Sequence, residues 1–190
     1  MDEEFVSCEE NPGSALVREV FDWIESAIMA LVCVILVFTF IGRQVGVSGD
    51  SMINTLNDQD RLVAVTFMYK PKNGDIVVAT KPNLRNEPLI KRVIAVGGQT
   101  IDINRETGEI LIDGVVIEED YIREPMDPRS TGDMDYPVAV PPGYVFLMGD
   151  NRNYSWDSRY QGVGLIDERH ILGKAVYRIM PYKNMGGLYK

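Results

Sequence analysis

Two side chains in this sequence could form a catalytic pair, a serine hydroxyl and a lysine amine. Ser51 follows Gly49-Asp50, which suits a tight turn that presents a hydroxyl and nearby backbone N–H groups. Lys91 stands in the apolar run Leu89–Val96, where loss of water would lower the pKa of a lysine from about 10.4. A neutral amine can accept the proton of a serine hydroxyl, so the two residues are candidates for nucleophilic catalysis. A serine that only satisfies its own turn and a solvated lysine are the ordinary alternatives.

A third group of side chains, residues 149–159, is dense in hydrogen-bonding groups and follows an apolar run. Asp157 and Arg159 are close enough in sequence to pair, and Ser155 could hydrogen-bond a neutral amine. A polar loop or a calcium site are the alternatives. Because the cluster holds two aspartates and two arginines, it is a poor match to the alternating carboxylates of calcium loops.

Other kinds of site are poorly supported by the composition. His170 is the only histidine, and we interpret it as a surface residue at a strand edge rather than as part of a Ser-His-Asp triad. The cysteines are Cys8 and Cys33, so residues 43–190 can hold neither an internal disulfide nor a thiolate zinc site. We therefore expect no metal and no cofactor.

The charge is concentrated at the amino end. Residues 1–42 contain eight acidic residues and one basic residue, whereas residues 43–190 contain 20 acidic and 18 basic residues. Neither part has the basic surface that nucleic-acid binding requires, so we expect no nucleic-acid partner.

A long apolar run follows this acidic segment. Ser26 to Gly42 is 17 residues without a charge, which as a helix covers roughly 25 Å. The run is apolar on every side, which favours a membrane span over a buried core helix, and its acidic leader argues against a cleaved signal peptide. We predict an acidic, disordered tail at 1–22 and a transmembrane anchor at 23–42. The few lysines and arginines near the run leave its orientation open.

Beyond Arg43 the pattern predicts β-strands separated by turns, and no long amphipathic helix, which favours an antiparallel sheet over βαβ units. Residues 118–136 are polar and are interpreted as an exposed loop or insert. In the run that contains Lys91, alternation puts Arg92 on the opposite face, and we expect one of these faces to be wet. The predicted strand segments are 61–67, 75–80, 89–103, 109–117, 144–148 and 170–179.

Four ordered blocks of the sequence resemble the type I signal peptidases, which are membrane-anchored Ser/Lys proteases. The blocks are Gly49-Asp50-Ser51-Met52-Ile53-Asn54-Thr55-Leu56, Gly74-Asp75-Ile76-Val77-Val78, Lys91-Arg92-Val93-Ile94-Ala95, and Gly149-Asp150-Asn151-Arg152 with Ser155 and Asp157-Ser158-Arg159. Three places depart from the family pattern. Gly97-Gly98-Gln99 stands where the family usually has Pro-Gly-Asp. Asn54 replaces a usual proline, and an asparagine side chain can still hold the turn. Gly49 replaces a serine that in some members completes the oxyanion hole, so that hydroxyl donor is missing.

The resemblance implies a mainly β fold, in which a single N-terminal transmembrane helix precedes an antiparallel β-sheet peptidase domain with a smaller inserted β lobe. It implies a catalytic core at 43–97 and 141–182, the lobe at 98–140 and a C-terminal tail at 183–190. It also places the amino end in the cytoplasm and the catalytic domain on the outer face of the plasma membrane.

The resemblance also implies a role for each candidate residue. Ser51 would be the nucleophile, and its backbone N–H would donate to the oxyanion. Lys91 would be the general base, Ser155 would orient the lysine amine, and Asp157 and Arg159 would support the site as a pair. The implied partners are the lipid bilayer and preproteins whose signal peptides carry small residues at positions −1 and −3.

Two rival interpretations remain open at this stage. One is a self-cleaving repressor-type Ser/Lys peptidase, although a membrane anchor would here replace its DNA-binding domain. The other is a catalytically silent, membrane-anchored β domain that acts as a binding module. The presence of both Ser51 and Lys91 favours an active peptidase.

Overall fold

The structure, a computed structural model, describes residues 12–40, 42–81 and 88–189. The chain divides into two compact units, residues 1–40 and 41–190. In the first unit the helix α1 spans Pro12–Phe40. Proline suits the start of a helix because its missing N–H would have no partner there.

Helix α1 starts well before the predicted anchor. Residues 12–22, expected to be a disordered tail, are helical, because Ala15, Leu16, Arg18 and Glu19 are good helix formers. The rest of that tail, residues 1–11, lies outside the described residues. Among the described residues, no helix has both the length and the apolarity needed to cross a membrane.

The second unit is built from antiparallel strands, as the sequence predicts, and each predicted segment overlaps at least one of them. In chain order the strands are β1 (Gly42–Gly46), β2 (Arg61–Val65), β3 (Ile76–Ala79), β4 (Leu89–Val96), β5 (Thr100–Ile103), β6 (Ile110–Ile112), β7 (Val115–Val116), β8 (Val138–Ala139), β9 (Tyr144–Met148), β10 (Ile166–Asp167), β11 (Ile171–Met180) and β12 (Gly186–Gly187).

The strands form two sheets that share a core. The larger sheet has eight strands in the order β1-β2-β11-β3-β4-β9-β10, with β12 paired to β11, and the smaller has four in the order β7-β6-β5-β8. Ile101 and Ile110 of the smaller sheet pack with Phe146 and Met148 of the larger one. The smaller sheet turns between β6 and β7 at Asp113 and Gly114, whose φ angles of 52° and 81° are those of a tight hairpin turn.

Strand β4 lies in the interior of the larger sheet, between β3 and β9. Lys91 pairs with Val77 of β3, and Arg92 pairs with Met148 at the end of β9. This register brings the loop that follows Met148 next to the two cations. The expectation of one wet face is wrong, because Lys91 is 5% and Arg92 is 6% exposed.

The carboxyl end is ordered where a tail was expected. Tyr182–Asn184 form a 3-10 turn, and β12 then pairs with β11. The Tyr189 hydroxyl accepts a hydrogen bond of 2.8 Å from the backbone N–H of Ile76. The segment therefore packs against β3, at the end of the strand that neighbours β4.

Candidate active site

The candidate nucleophile lies in a turn that is held at both ends. The backbone N–H of Gly49, whose φ is 84°, donates to Asp58 Oδ1 at 2.9 Å. At the other end, Met52 and Leu56 are fully buried, and the Leu56 N–H donates to the Met52 carbonyl at 2.8 Å. The turn after the nucleophile is thus formed with Asn54 in place of the family's proline. Ser51 is half-buried between these two fixed points.

Ser51 and Lys91 are in direct contact although 40 residues separate them. Ser51 Oγ and Lys91 Nζ lie 2.5 Å apart. The lysine is rigidly placed, because β4 is paired on both sides and the neighbouring Ile90 and Val93 are buried in the core. A hydroxyl this close to a buried amine can pass its proton to that amine without a change in structure.

A small cavity of about 80 Å³ opens beside this pair. Polar and apolar residues both line it, and the two candidate catalytic side chains form part of its wall. Its lining residues are Val47, Ser48, Ser51, Met52, Pro88, Leu89, Ile90 and Lys91. A cavity of this size has room for a small side chain.

The loop after β9 carries the buried ion pair that the sequence predicts. Arg159 donates from Nε to Asp157 Oδ1 and from Nη2 to Oδ2, both at 2.8 Å, and both side chains are fully buried. Burial by itself would raise the pKa of Asp157, but the charge of Arg159 and the hydrogen bonds that the carboxylate accepts lower that pKa below its ordinary value.

This carboxylate also holds Ser155, which is 7% exposed. The Ser155 hydroxyl donates to Asp157 Oδ2 at 2.6 Å, and the Gly149 N–H donates to the same oxygen at 2.9 Å. Asp157 therefore fixes the two ends of the loop that faces Ser51.

Gly149 lies where the loop closely approaches the nucleophile turn. A Cβ atom there would overlap the Ser155 hydroxyl and the Ser51 carbonyl oxygen. We expect Gly149→Ala to push these two groups apart, which should lower the free energy of unfolding by about 1–3 kcal/mol and reduce activity. Thermal denaturation and an activity assay check both effects.

Gly186→Ala provides the matched control, because a Cβ at Gly186 meets nothing within 4 Å. This variant should keep the stability and activity of the wild type. Equal behaviour of Gly149→Ala and Gly186→Ala would contradict the close approach.

Sequence reasoning missed a second buried network, on the opposite face of β4. Arg92 donates from Nε to Asp150 Oδ1 at 2.8 Å and from Nη2 to Oδ2 at 2.6 Å, and Thr55 Oγ1 donates to Oδ2 at 2.5 Å. Asp150 follows Gly149 in the loop after β9, and Thr55 belongs to the nucleophile turn. The network therefore ties the turn, the base strand and the loop together.

The segment expected to be an exposed loop, residues 118–136, covers this network. Tyr121 stacks on the Arg92 guanidinium, 3.8 Å from the ring centre, and Glu119 pairs with Arg152. Because polar residues dominate the segment, its composition gave no sign that part of it packs inward. The only sequence signal for this packing was the presence of Arg92 and Arg152, since a buried guanidinium needs a partner.

His170 lies in neither the nucleophile turn nor strand β4. It ends the 3-10 turn Glu168–His170, and its carbonyl oxygen accepts a hydrogen bond from the Thr80 N–H at 2.9 Å. Among the described residues, no group of three or more histidine, cysteine, aspartate or glutamate side chains could hold a metal ion.

Comparison with known proteins gives a consistent match. Residues 20–180 match the family model "Signal peptidase, peptidase S26". The "Probable signal peptidase I-1" of Synechocystis sp. is 37% identical over 84% of this chain and 82% of its own length. "Signal peptidase I" of Bacillus licheniformis is 34% identical over 88% of this chain and 92% of its own length. A crystal structure of a signal peptidase I from Enterococcus faecalis V583 is 27% identical, with a TM-score of 0.45, over 56% of this chain and 97% of that chain.

The family model covers most of the chain, and the relatives are matched over most of their length. The chain therefore belongs to the signal peptidase family, peptidase S26, and is a serine peptidase of the signal peptidase I kind.

Proposed function

We propose that this chain is a membrane-bound endopeptidase that removes N-terminal signal peptides from exported preproteins, with Ser51 as nucleophile and Lys91 as general base. The observation that carries the proposal is the 2.5 Å separation of Ser51 Oγ and Lys91 Nζ, with the lysine only 5% exposed. Burial disfavours a charged ammonium, so the site favours the neutral amine that a base must be. Family membership supports the substrate class.

In the proposed reaction the Lys91 amine takes the proton of the Ser51 hydroxyl as the oxygen attacks the scissile carbonyl carbon. The carbonyl oxygen becomes an oxyanion, which accepts a hydrogen bond from the Ser51 backbone N–H. Among the described residues, no acceptor is bonded to that N–H, which leaves it available. Lys91 then returns its proton to the leaving amine, and water hydrolyses the acyl-enzyme.

The remaining candidate residues have supporting roles in the proposal. Asp157, paired with Arg159, holds Ser155 and the Gly149 N–H. In the proposed mechanism Ser155 orients the lysine amine, the role that the family resemblance implies for it. Gly149 brings the Ser155 hydroxyl close to the Ser51 carbonyl. This arrangement requires no metal or cofactor, since the amine supplies the base and the backbone supplies the oxyanion donor.

The cavity beside Ser51 supports the preference for a small residue at position −1. At about 80 Å³, its volume suits an alanine-sized side chain. An extended substrate segment points alternate side chains to the same face, so the residue at −3 would face the body as the residue at −1 does.

The membrane part of the proposal rests on the sequence. The uncharged run Ser26–Gly42 would anchor the chain within residues 23–42, with the amino end in the cytoplasm and the body on the outer face of the plasma membrane. Exposed apolar side chains of α1, such as Trp23, Ile28 and Leu31, support contact with lipid. Alkaline extraction of membranes should leave the full chain in the pellet, whereas release of the full chain would contradict an anchor.

The function itself is tested by incubating the purified full chain with an exported preprotein in detergent. A single cut after a small residue at the end of the signal peptide, mapped by mass, is the expected result, and Ser51→Ala should give no product. Binding of the preprotein without cleavage by the wild type would instead indicate a silent binding module.

The rate of cleavage should rise with pH, because only the neutral form of Lys91 accepts the serine proton. Below the midpoint of this rise we expect about a tenfold gain per pH unit, the slope of a single ionisation. Initial rates across a pH series measure the profile. His170→Ala should leave the profile unchanged, and a large loss of activity in that variant would indicate a histidine base instead.

A further inference from the structure

We propose that Asn151 is a positioning residue that aims the oxyanion donor of the nucleophile turn. This inference rests on the proposed function, because it assigns a task to the Ser51 backbone N–H. Asn151 is 1% exposed and lies in the loop after β9, 100 residues from Ser51 in sequence. It nevertheless holds two successive carbonyl groups of the turn.

Both contacts are direct hydrogen bonds. The Asn151 side-chain Nδ2 donates to the Asp50 carbonyl oxygen at 3.0 Å, and the Asn151 backbone N–H donates to the Ser51 carbonyl oxygen at 3.0 Å. Asn151 is itself fixed, because its own carbonyl accepts from the Tyr154 N–H at 3.0 Å. One buried residue thus links the loop to the peptide units on either side of the Ser51 Cα.

The side-chain bond has a specific geometric consequence. The Asp50 carbonyl and the Ser51 N–H are the two ends of one planar peptide unit, and in a trans peptide they point in opposite directions. The bond between Asp50 and Ser51 is not among the cis bonds of the described residues. The Asp50 carbonyl also accepts from the Ile53 N–H at 3.3 Å, and the bond from Asn151 Nδ2 is the shorter of the two. A donor that fixes the carbonyl therefore fixes the direction of the N–H. Hydrogen bonding of the carbonyl also polarises the peptide and strengthens that N–H as a donor.

A role in stability alone explains this amide poorly. Among the described residues, no partner is found for the buried Asn151 Oδ1. A buried acceptor without a partner costs free energy, and an apolar side chain of the same shape avoids that cost. The hydrogen bond that Nδ2 donates is therefore the contribution of the amide that an isosteric leucine cannot make.

The test compares Asn151→Leu and Asn151→Ala with Asn153→Ala in the full chain. Asn153 is a matched control, since its side-chain amide bonds Glu124 and Pro125 rather than the nucleophile turn. Loss of one oxyanion donor costs roughly 10²–10³ in kcat, and a misdirected donor should cost less. We expect the kcat of both Asn151 variants to fall about 10–100-fold. Their KM should stay within about twofold of the wild-type value, and the midpoint of the pH profile within about 0.3 unit.

The Leu variant distinguishes positioning from folding, because it should keep the melting temperature of the wild type. A folded Asn151→Leu with wild-type kcat would overturn the inference, and so would a shifted pH midpoint, which would mean that Asn151 acts on Lys91. Failure of the proposed function would give a different result from failure of this inference. In that case the wild type and Asn153→Ala would not cleave the preprotein either, or Ser51→Ala would still cleave it.

Discussion

Lys91→Arg is expected to reduce preprotein cleavage by about 10²–10⁴-fold, the contribution of a general base, while the body stays folded. Arginine keeps the positive charge and the length of the side chain but cannot lose its proton, so it cannot accept the proton of Ser51. Ser51→Ala, which removes the nucleophile, should cost on the order of 10⁶-fold. Cleavage rates with one preprotein, and melting temperatures for all variants, measure both effects.

Lys174→Arg is the matched control for this substitution. Lys174 also lies on an inner strand of the larger sheet and pairs with Asp75, its Nζ 2.6 Å from Oδ1. An arginine can keep that ion pair, so the variant should cleave as the wild type does. Normal cleavage by Lys91→Arg would show that no proton needs to leave this position, and the proposed base would be wrong.

Asp157→Asn is expected to destabilise the body by about 3–5 kcal/mol, because it leaves the fully buried Arg159 guanidinium without a counter-ion. In a body of this size that corresponds to a melting temperature lower by about 10 °C. Activity should fall as well, because the asparagine amide keeps only one acceptor oxygen for the donors of Ser155, Gly149 and Arg159.

The same pair predicts an acid effect. The pKa of Asp157 is lowered in the folded state, so the stability that its charge contributes is complete above the ordinary carboxyl pKa near 3.9 and is lost as the pH falls through the folded value. Acid unfolding of the wild type should therefore show this loss, and Asp157→Asn should lack it.

Two further aspartates provide controls with the same local geometry. Asp127 pairs with Arg129 and Asp167 with Arg169, each two residues apart, but both arginines are highly exposed. Asp127→Asn and Asp167→Asn should leave the melting temperature nearly unchanged, because exposed pairs contribute little. Equal melting temperatures for all three variants and the wild type would mean that burial does not set the importance of the pair.

These three pairs also show what the sequence could not predict. The spacing Asp-x-Arg is the same in each, and only the fold decides that Asp157 and Arg159 are fully buried while the other two pairs face solvent. Residue type and spacing predict that a pair can form. They do not predict the burial that makes it important.

The strands were predictable because alternating apolar residues and turn signals are local properties. The hairpin turn at Asp113 and Gly114 is local as well, because residues of these types favour positive φ angles. The contact between Ser51 and Lys91 is not local, and it came from the ordered blocks of the family resemblance rather than from periodicity. A single sequence does not say which strands are neighbours, so the pairing of β4 with β9 and the position of the loop after it were not derivable.

The wrong expectation that one face of strand β4 would be wet has a clear physical reason. An amphipathic strand with a cation on each face normally wets one of them, but here a segment of the insert covers the second face through Tyr121. That segment is polar in composition, so nothing local marked it as a covering element. The C-terminal residues were misjudged in the same way, because the contact of Tyr189 with Ile76 joins positions 113 residues apart.

An NMR titration of the labelled Lys91 side-chain amine tests the central claim most directly, with the signal assigned by its absence from Lys91→Arg. We predict that this amine loses its proton at a lower pH than the exposed lysines do, and over the same range in which preprotein cleavage rises. An amine that stays protonated across the whole range in which the wild type cleaves would contradict the account.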